Sequence, residues 1–278
     1  MQNGMDPNDW WAAHAALAWQ IEMGADEAIL DAPVDRYALG AAEAAPAQER
    51  AASAPVAKAA RAAPPPPPPP LAPKAPADDP VARARAAVAG VADLAGLRAA
   101  LEAFDGGALQ AGARSCVFAD GNPQARVMVV GEAPGRDEDR EGRPFVGRAG
   151  RLLDAMFAAI GLSRTAEDPD RALYITNVLP YRPEGNRTPT PDEVATYLPF
   201  LTAHVELAAP EILVVMGNTP ALALLGRQGI TRMRGNWDEA LGRPVLPMFH
   251  PAYLLRQPLA KREAWADLLS LRARLGGD

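Results

Sequence analysis

The sequence predicts an α/β protein with three layers, helix on sheet on helix, around a central four-stranded parallel sheet. Three observations predict it. Four short apolar runs lie at residues 126–130, 172–176, 211–216 and 244–249. Helical stretches separate them, near 150–160, 191–207 and 219–225, with a last helix at 261–275. At 49% hydrophobic and 22% charged residues, the chain also has enough material for a buried core. Strands that alternate with helices imply a parallel sheet covered on both faces.

In chain order, Asp6-Pro7-Asn8-Asp9 reads as an N-cap, a proline at the first helical position and an acid in the first turn. A short helix follows, with Trp10, Leu17 and Ile21 on one face; it either docks on the protein's own core or binds a partner. Residues 39–80 are mostly Ala and Pro, with seven consecutive prolines at 64–70, and predict a disordered, extended, semi-rigid linker. The expected division is therefore a helical segment at 1–38, the linker at 39–80 and a folded domain at 81–278. That domain opens with a helix at about 88–104 that precedes the first strand.

Charge and cysteine content limit the function classes. The net charge is −6. Residues 1–80 hold 11 acidic and 5 basic residues, which accounts for all of it. The remaining chain is neutral, and its arginines are free to form a positive face toward phosphates. One cysteine excludes an intramolecular disulfide, and equally a four-cysteine zinc or iron–sulfur site built by this chain. No apolar run approaches membrane-spanning length, and the N-terminus carries acids where a signal peptide carries Lys or Arg. A cytoplasmic protein without a membrane partner is expected.

In parallel sheets, ligands bind at the carboxyl ends of the strands. After the first strand come Gly131-Glu132-Ala133-Pro134-Gly135, an acidic cluster at 137–139, and a loop that carries Phe145 and leads through Gly147 to Gly150 into a helix. The glycine spacing is neither a dinucleotide fingerprint nor a P-loop, which disfavours a Rossmann-type nucleotide binder. Such glycines let backbone approach a ligand closely. Asn177 ends the second strand, Gly217-Asn218-Thr219 follow the third, and His250 follows the fourth. Singly, a strand-end Asn or His is an ordinary capping residue and a Phe an ordinary core residue. Together, Glu132, Phe145, Asn177 and His250 suit a flat polar heterocycle taken into a pocket.

At these residues the chain resembles the uracil-DNA glycosylase superfamily, most closely its family 4. The resemblance rests on GEAPG at 131–135 with the acids after it, GRPFVGRAG at 142–150, YITNV at 174–178, RPEGNRTPTPDE at 182–193, the glycine turn after the third strand and HPAYLLR at 250–256. It covers about 88–275. It implies hydrolysis of the N-glycosidic bond of uracil in DNA, with base flipping, to leave an abasic site. Phe145 would stack on the flipped uracil, Asn177 would hydrogen-bond its O4 and N3 edge, and His250 would donate to O2. Where the most active members place an aspartate this chain has Ala133, so water activation is expected to fall to Glu132 or Glu138, with Asp137 and Asp139 behind them. Backbone N–H groups at Gly217, Asn218 and Thr219 and the His250 loop are the expected DNA contacts, with Arg187 and Arg256 as phosphate ligands and Leu254 or Leu255 as a wedge in the gap left by the base.

Family 4 members resemble this chain but carry a four-iron, four-sulfur cluster on four cysteines. The matching positions here are about Phe104, Gly107, Tyr181 and Tyr197, and none ligates iron. No cofactor is expected, and Tyr181 and Tyr197 are expected to fill the volume by packing. Cys116 reads as a small buried hydrophobe or a loop thiol. A subfamily that captures its abasic product through a loop histidine differs here as well, since 182–188 holds no histidine. The expected state is a monomer acting on uracil-containing DNA, with a possible protein partner for the N-terminal helix. Two alternatives stay open: a glycosylase for hypoxanthine or xanthine, and a non-catalytic DNA-binding repair module.

Overall fold

A computed structural model describes residues 79–276, so the readings of the N-terminal helix and linker lie outside the described residues. The described chain begins with α1 (Pro80–Val88), α2 (Leu94–Ala103) and α3 (Gly107–Gly112). The strands are β1 (Asp120–Gly121), β2 (Val127–Gly131), β3 (Leu173–Asn177), β4 (Ile212–Met216), β5 (Asp238–Ala240) and β6 (Arg243–Met248). Between and after them run α4 (Arg136–Glu141), α5 (Arg148–Ala158), α6 (Pro191–Ala208), α7 (Asn218–Leu225), α8 (Ile230–Met233), α9 (Pro251–Arg256) and α10 (Lys261–Arg274).

The sheet order is β1-β3-β2-β4-β6-β5. Its four inner strands, β3, β2, β4 and β6, are mutually parallel and are the four read from the sequence. The expected four-stranded sheet is extended by short antiparallel strands at both edges, β1 against β3 and β5 against β6. Asp120-Gly121 and Asp238–Ala240 have no apolar run or alternation, so pattern alone does not disclose them. Short, charged strands at sheet edges also discourage pairing with other chains.

Alternation along the inner strands builds two cores, because successive side chains point to opposite faces. Met128, Val130, Tyr174, Leu213, Val215 and Val245 face one core with α1, α2 and α6. Val129, Ile175, Val214, Met216, Leu246 and Met248 face the other with α5 and α10. The three-layer reading therefore holds. The single opening helix does not: α1 ends at Val88, and Asp93 caps a separate α2 by accepting from the Gly96 N–H at 2.7 Å. The long α6 begins with a capping box, Thr190 with Glu193, and Pro191 in its first turn, and so starts where the sequence predicts.

Tyr181 and Tyr197 are buried; the Tyr197 ring packs on Tyr181, Phe104 and Phe200 at centroid distances of 5.9–6.3 Å, and Phe104 meets Phe200 at 5.2 Å. A Cβ added at Gly106 would lie 1.9 Å from the Tyr197 Oη, which shows how completely these rings use the space. Burial pushes the Cys116 thiol up to about 11, so it stays protonated and is a poor iron ligand. The residues at the four matching positions do not fit a thiolate-held cluster. Among the described residues, no group of three or more His, Cys, Asp or Glu is placed to hold a metal. Nor is any described helix long and apolar enough to cross a membrane.

His204, on the buried face of α6, stacks on Phe118 at 4.4 Å and shares a 2.9 Å hydrogen bond with the Tyr174 hydroxyl. Burial pushes its pKa down to about 4. The unfolded chain takes up this proton below about pH 6.5, and the folded chain does so only near pH 4. The contribution to stability is thus complete above about 6.5 and is lost as pH falls toward 4, at about 1.4 kcal/mol per pH unit. His250 has the same sign and range. Thermal melts from pH 7 to pH 4.5 are expected to show a falling Tm, and His204→Gln to remove about half of the histidine-dependent slope.

Candidate active site

A cavity of about 800 Å³ opens at the carboxyl ends of β2, β3, β4 and β6, where the sequence places the ligand crevice. Glu132, Phe145, Asn177 and His250 all line it, from four separate segments. Gly131 and Asn177 end adjacent strands and lie opposite each other in register. A Cβ at Gly131 would stand 2.3 Å from the Asn177 Oδ1 and 2.5 Å from a Phe145 ring carbon, so only glycine admits both side chains.

Phe145 is itself in an unusual conformation, with φ of 54°. A left-handed backbone at a bulky residue costs about 1–2 kcal/mol and persists only where its surroundings impose it. Gly150 permits it, because a Cβ there would fall 1.8 Å from the Phe145 carbonyl oxygen. The ring stands 5.4 Å from the His250 imidazole, 27° from parallel.

His250 caps α9, its Nδ1 accepting from the Ala252 N–H at 3.1 Å. An acceptor at Nδ1 assigns the proton of the neutral ring to Nε2. Burial, with Arg256 nearby, pushes the pKa of this group down to about 4. Near pH 7 the ring is therefore an uncharged donor.

The acidic residues separate by what their oxygens already hold. Glu132 accepts from the Thr219 hydroxyl at 2.5 Å through one oxygen. Glu138 lines the cavity but accepts from three backbone N–H groups, Gly135 and Val146 at 3.1 Å and Gly147 at 3.3 Å. It pins the Phe145 loop to the start of α4. Asp139 is buried and accepts from the Arg114 and Ser115 N–H groups, and Asp137 pairs with Arg140. The acidic cluster at 137–139 lies in the first turn of α4, where negative charge is favourable to the helix macrodipole. Removing Glu138 strands the three N–H groups, at about 1–3 kcal/mol for each one left buried. Glu138→Ala is thus expected to lower Tm by several degrees, and Glu138→Gln by less, because its single amide oxygen can keep the Val146 and Gly147 N–H groups while its NH2 faces the Gly135 N–H. Full activity loss in Glu138→Gln at unchanged Tm would instead mark a reacting carboxylate.

The expected DNA contacts fare unequally. Gly217, Asn218, Thr219, Arg187 and Arg256 line the cavity or its rim, as does Ala133. The Asn218 side chain is occupied, since its Oδ1 accepts from the Gly229 and Ile230 N–H groups. Arg187 makes a bidentate pair with Glu193 at 2.6 and 2.8 Å, and this pairing holds the Glu193 carboxyl down at about 2. Among the described residues Arg256 has no ion-pair partner. Leu254 corrects the sequence reading: it is fully buried with Phe249 and Ala264, and a side chain with no exposed surface cannot enter a duplex. Leu255 is 37% exposed and Leu259 93%. The sequence reading also missed Asn186, Ile230 and Tyr253 in the wall. Asn186 belongs to the RPEGNRTPTPDE stretch at 182–193, and its φ of 57° is typical of asparagine in a tight turn.

The fold and its pocket define an α/β protein with a strand-end cavity suited to a flat ligand with polar edges. The family profile described as "Uracil DNA glycosylase superfamily" matches residues 118–269. The chain belongs to this superfamily. It is 46% identical over 144 residues to a "Type-4 uracil-DNA glycosylase" of Thermotoga maritima, which covers 50% of this chain and 71% of that protein. Proteins with the same description in Archaeoglobus fulgidus and Sulfurisphaera tokodaii are 40% identical over 158 residues and 36% over 168. The matched stretches cover 53% and 57% of this chain and 75% and 74% of those relatives.

Proposed function

We propose that the protein excises uracil from DNA by hydrolysing the N-glycosidic bond and leaves an abasic site. The observation that carries this is the meeting of Phe145, Asn177 and His250 on one cavity wall, in a chain whose relatives are described as uracil-DNA glycosylases. The bond between C1′ and N1 breaks with its electron pair going to the base. The base leaves as an anion and the sugar becomes oxocarbenium-like. Neutral His250 donates from Nε2 to O2, where that charge collects, and so stabilises the transition state more than the ground state. Phe145 stacks on the extruded base, and the Asn177 amide pairs with O4 and N3. Cytosine reverses this donor and acceptor pattern, and a buried amide facing the wrong edge is strongly disfavoured.

Water adds to C1′ and its proton passes to a base. Glu132 fits that role better than Glu138, since Glu132 keeps an oxygen uncommitted to backbone. Arg256 and the first-turn N–H groups of α7 suit phosphate contacts, and Arg187 joins them if it leaves Glu193. Leu255, rather than Leu254, has surface to offer the duplex. The proposed chemistry uses no cofactor. We further propose a monomeric cytoplasmic enzyme whose catalytic domain is 81–278, with 39–80 as a linker that presents 1–38 to a protein partner.

The test is base release by the full chain from oligonucleotides that each carry one damaged base. Uracil release is expected. Release of hypoxanthine or xanthine without uracil would move the substrate to that base, and no release of any base, with equal binding of damaged and normal DNA, would leave a non-catalytic binding module.

A further inference from the structure

Arg164 lies in the segment between α5 and β3, outside the cavity lining, and its side chain is 9% exposed. Its guanidinium donates from Nη1 to the Pro144 carbonyl at 2.9 Å and from Nη2 to the Phe145 carbonyl at 3.0 Å. The same group is held by Asp120 of β1 through Nη1 at 2.9 Å and by Asp154 of α5 through Nε at 2.8 Å. A planar fork with fixed donor directions is suited to four acceptors at once in a way that a lysine ammonium is not. Two backbone carbonyls of one turn, one of them belonging to the left-handed Phe145, thus meet a single buried cation.

The other side of that turn is gripped by an anion. Glu138 accepts from the Val146 and Gly147 N–H groups, the two that follow Phe145. The residue with φ of 54° is therefore held at its carbonyl by Arg164 and at the next amides by Glu138, which is the over-determination such a conformation requires. Asp120 also lies 3.6 Å from Arg143, on the same loop. A loop set free at this turn would relax toward an ordinary backbone and carry the ring out of plane with the cavity wall.

We propose that Arg164, aligned by Asp120 and Asp154, is a positioning residue that holds the Phe145 ring in its base-stacking orientation. The inference rests on the reading of Phe145 as the stacking residue and identifies what sets that ring. It predicts that the Arg164 fork matters to the reaction only through Phe145. The experiment is a double-mutant cycle on the full chain, with single-turnover uracil release and Tm measured for each variant. Arg164→Met is expected to lower the rate at least tenfold, and Arg164→Lys to recover only part of it. With Phe145→Ala already present, Arg164→Met is expected to change the rate less than twofold, because the ring it served is gone. Where Arg164→Met does not fold, Asp154→Ala enters the same cycle, since this half-exposed carboxylate loosens the fork and leaves the cation in place. Losses that multiply in the double variant, with an active parent chain, overturn the positioning role and leave Arg164 a general stabiliser. A parent chain that releases no damaged base overturns the stacking reading and this inference with it.

Discussion

Gly131→Ala is expected to reduce base release by at least a hundredfold in a protein that still folds. The added methyl would stand 2.3 Å from the Asn177 Oδ1 and 2.5–2.6 Å from two carbons of the Phe145 ring. Contacts this short have to be relieved by movement. The ring cannot yield freely, because its backbone is gripped at the Pro144 and Phe145 carbonyls and at the Val146 and Gly147 amides. The Asn177 amide is then displaced from the edge it is proposed to read, and a misplacement of about 1 Å in such a site costs on the order of a hundredfold. Overpacking of a strand end costs about 1–3 kcal/mol, so a lower Tm with a cooperative melt accompanies the loss. Near-parental activity in Gly131→Ala would show that the three groups do not act together.

His250→Ala is expected to lower kcat by about a hundred- to a thousandfold, as for loss of one preorganised donor at a developing oxyanion. KM is expected to change little, because the charge at O2 is present mainly in the transition state. The pH dependence has its own signature. With its pKa pushed down to about 4, the ring keeps the same proton count from pH 5 to pH 8. The single-turnover rate should therefore show no histidine ionisation near 6.5. An inflection there that vanishes in His250→Ala would mean that the charged imidazolium is the working form, and would overturn the neutral-donor mechanism.

Much of the site was legible before the fold was known. Strand ends in a parallel sheet converge, so residues that follow apolar runs, such as Asn177 and His250, were expected to share a crevice, and they do. The roles of the acids were not legible. Glu132 and Glu138 look alike in the sequence, yet one keeps a free oxygen and the other is taken up by three amides. Thr219 is expected to meet DNA through its backbone N–H, and only the fold shows that its hydroxyl orients a carboxylate 87 positions earlier in the chain. Leu254 and Leu255 are neighbours of the same type; the helical turn of α9 buries the first and exposes the second.

Periodicity and turn chemistry are properties of neighbours along the chain, and from them the sequence alone determined four parallel strands, covering helices on both faces, and the strand ends where a site forms. Only the tertiary structure decided the edge strands, the left-handed turn of Phe145 and its Arg164 grip, and which of the two cavity glutamates is taken up by backbone amides. These depend on which distant backbone groups come within hydrogen-bonding reach, and that is set by packing in three dimensions rather than by the order of residues.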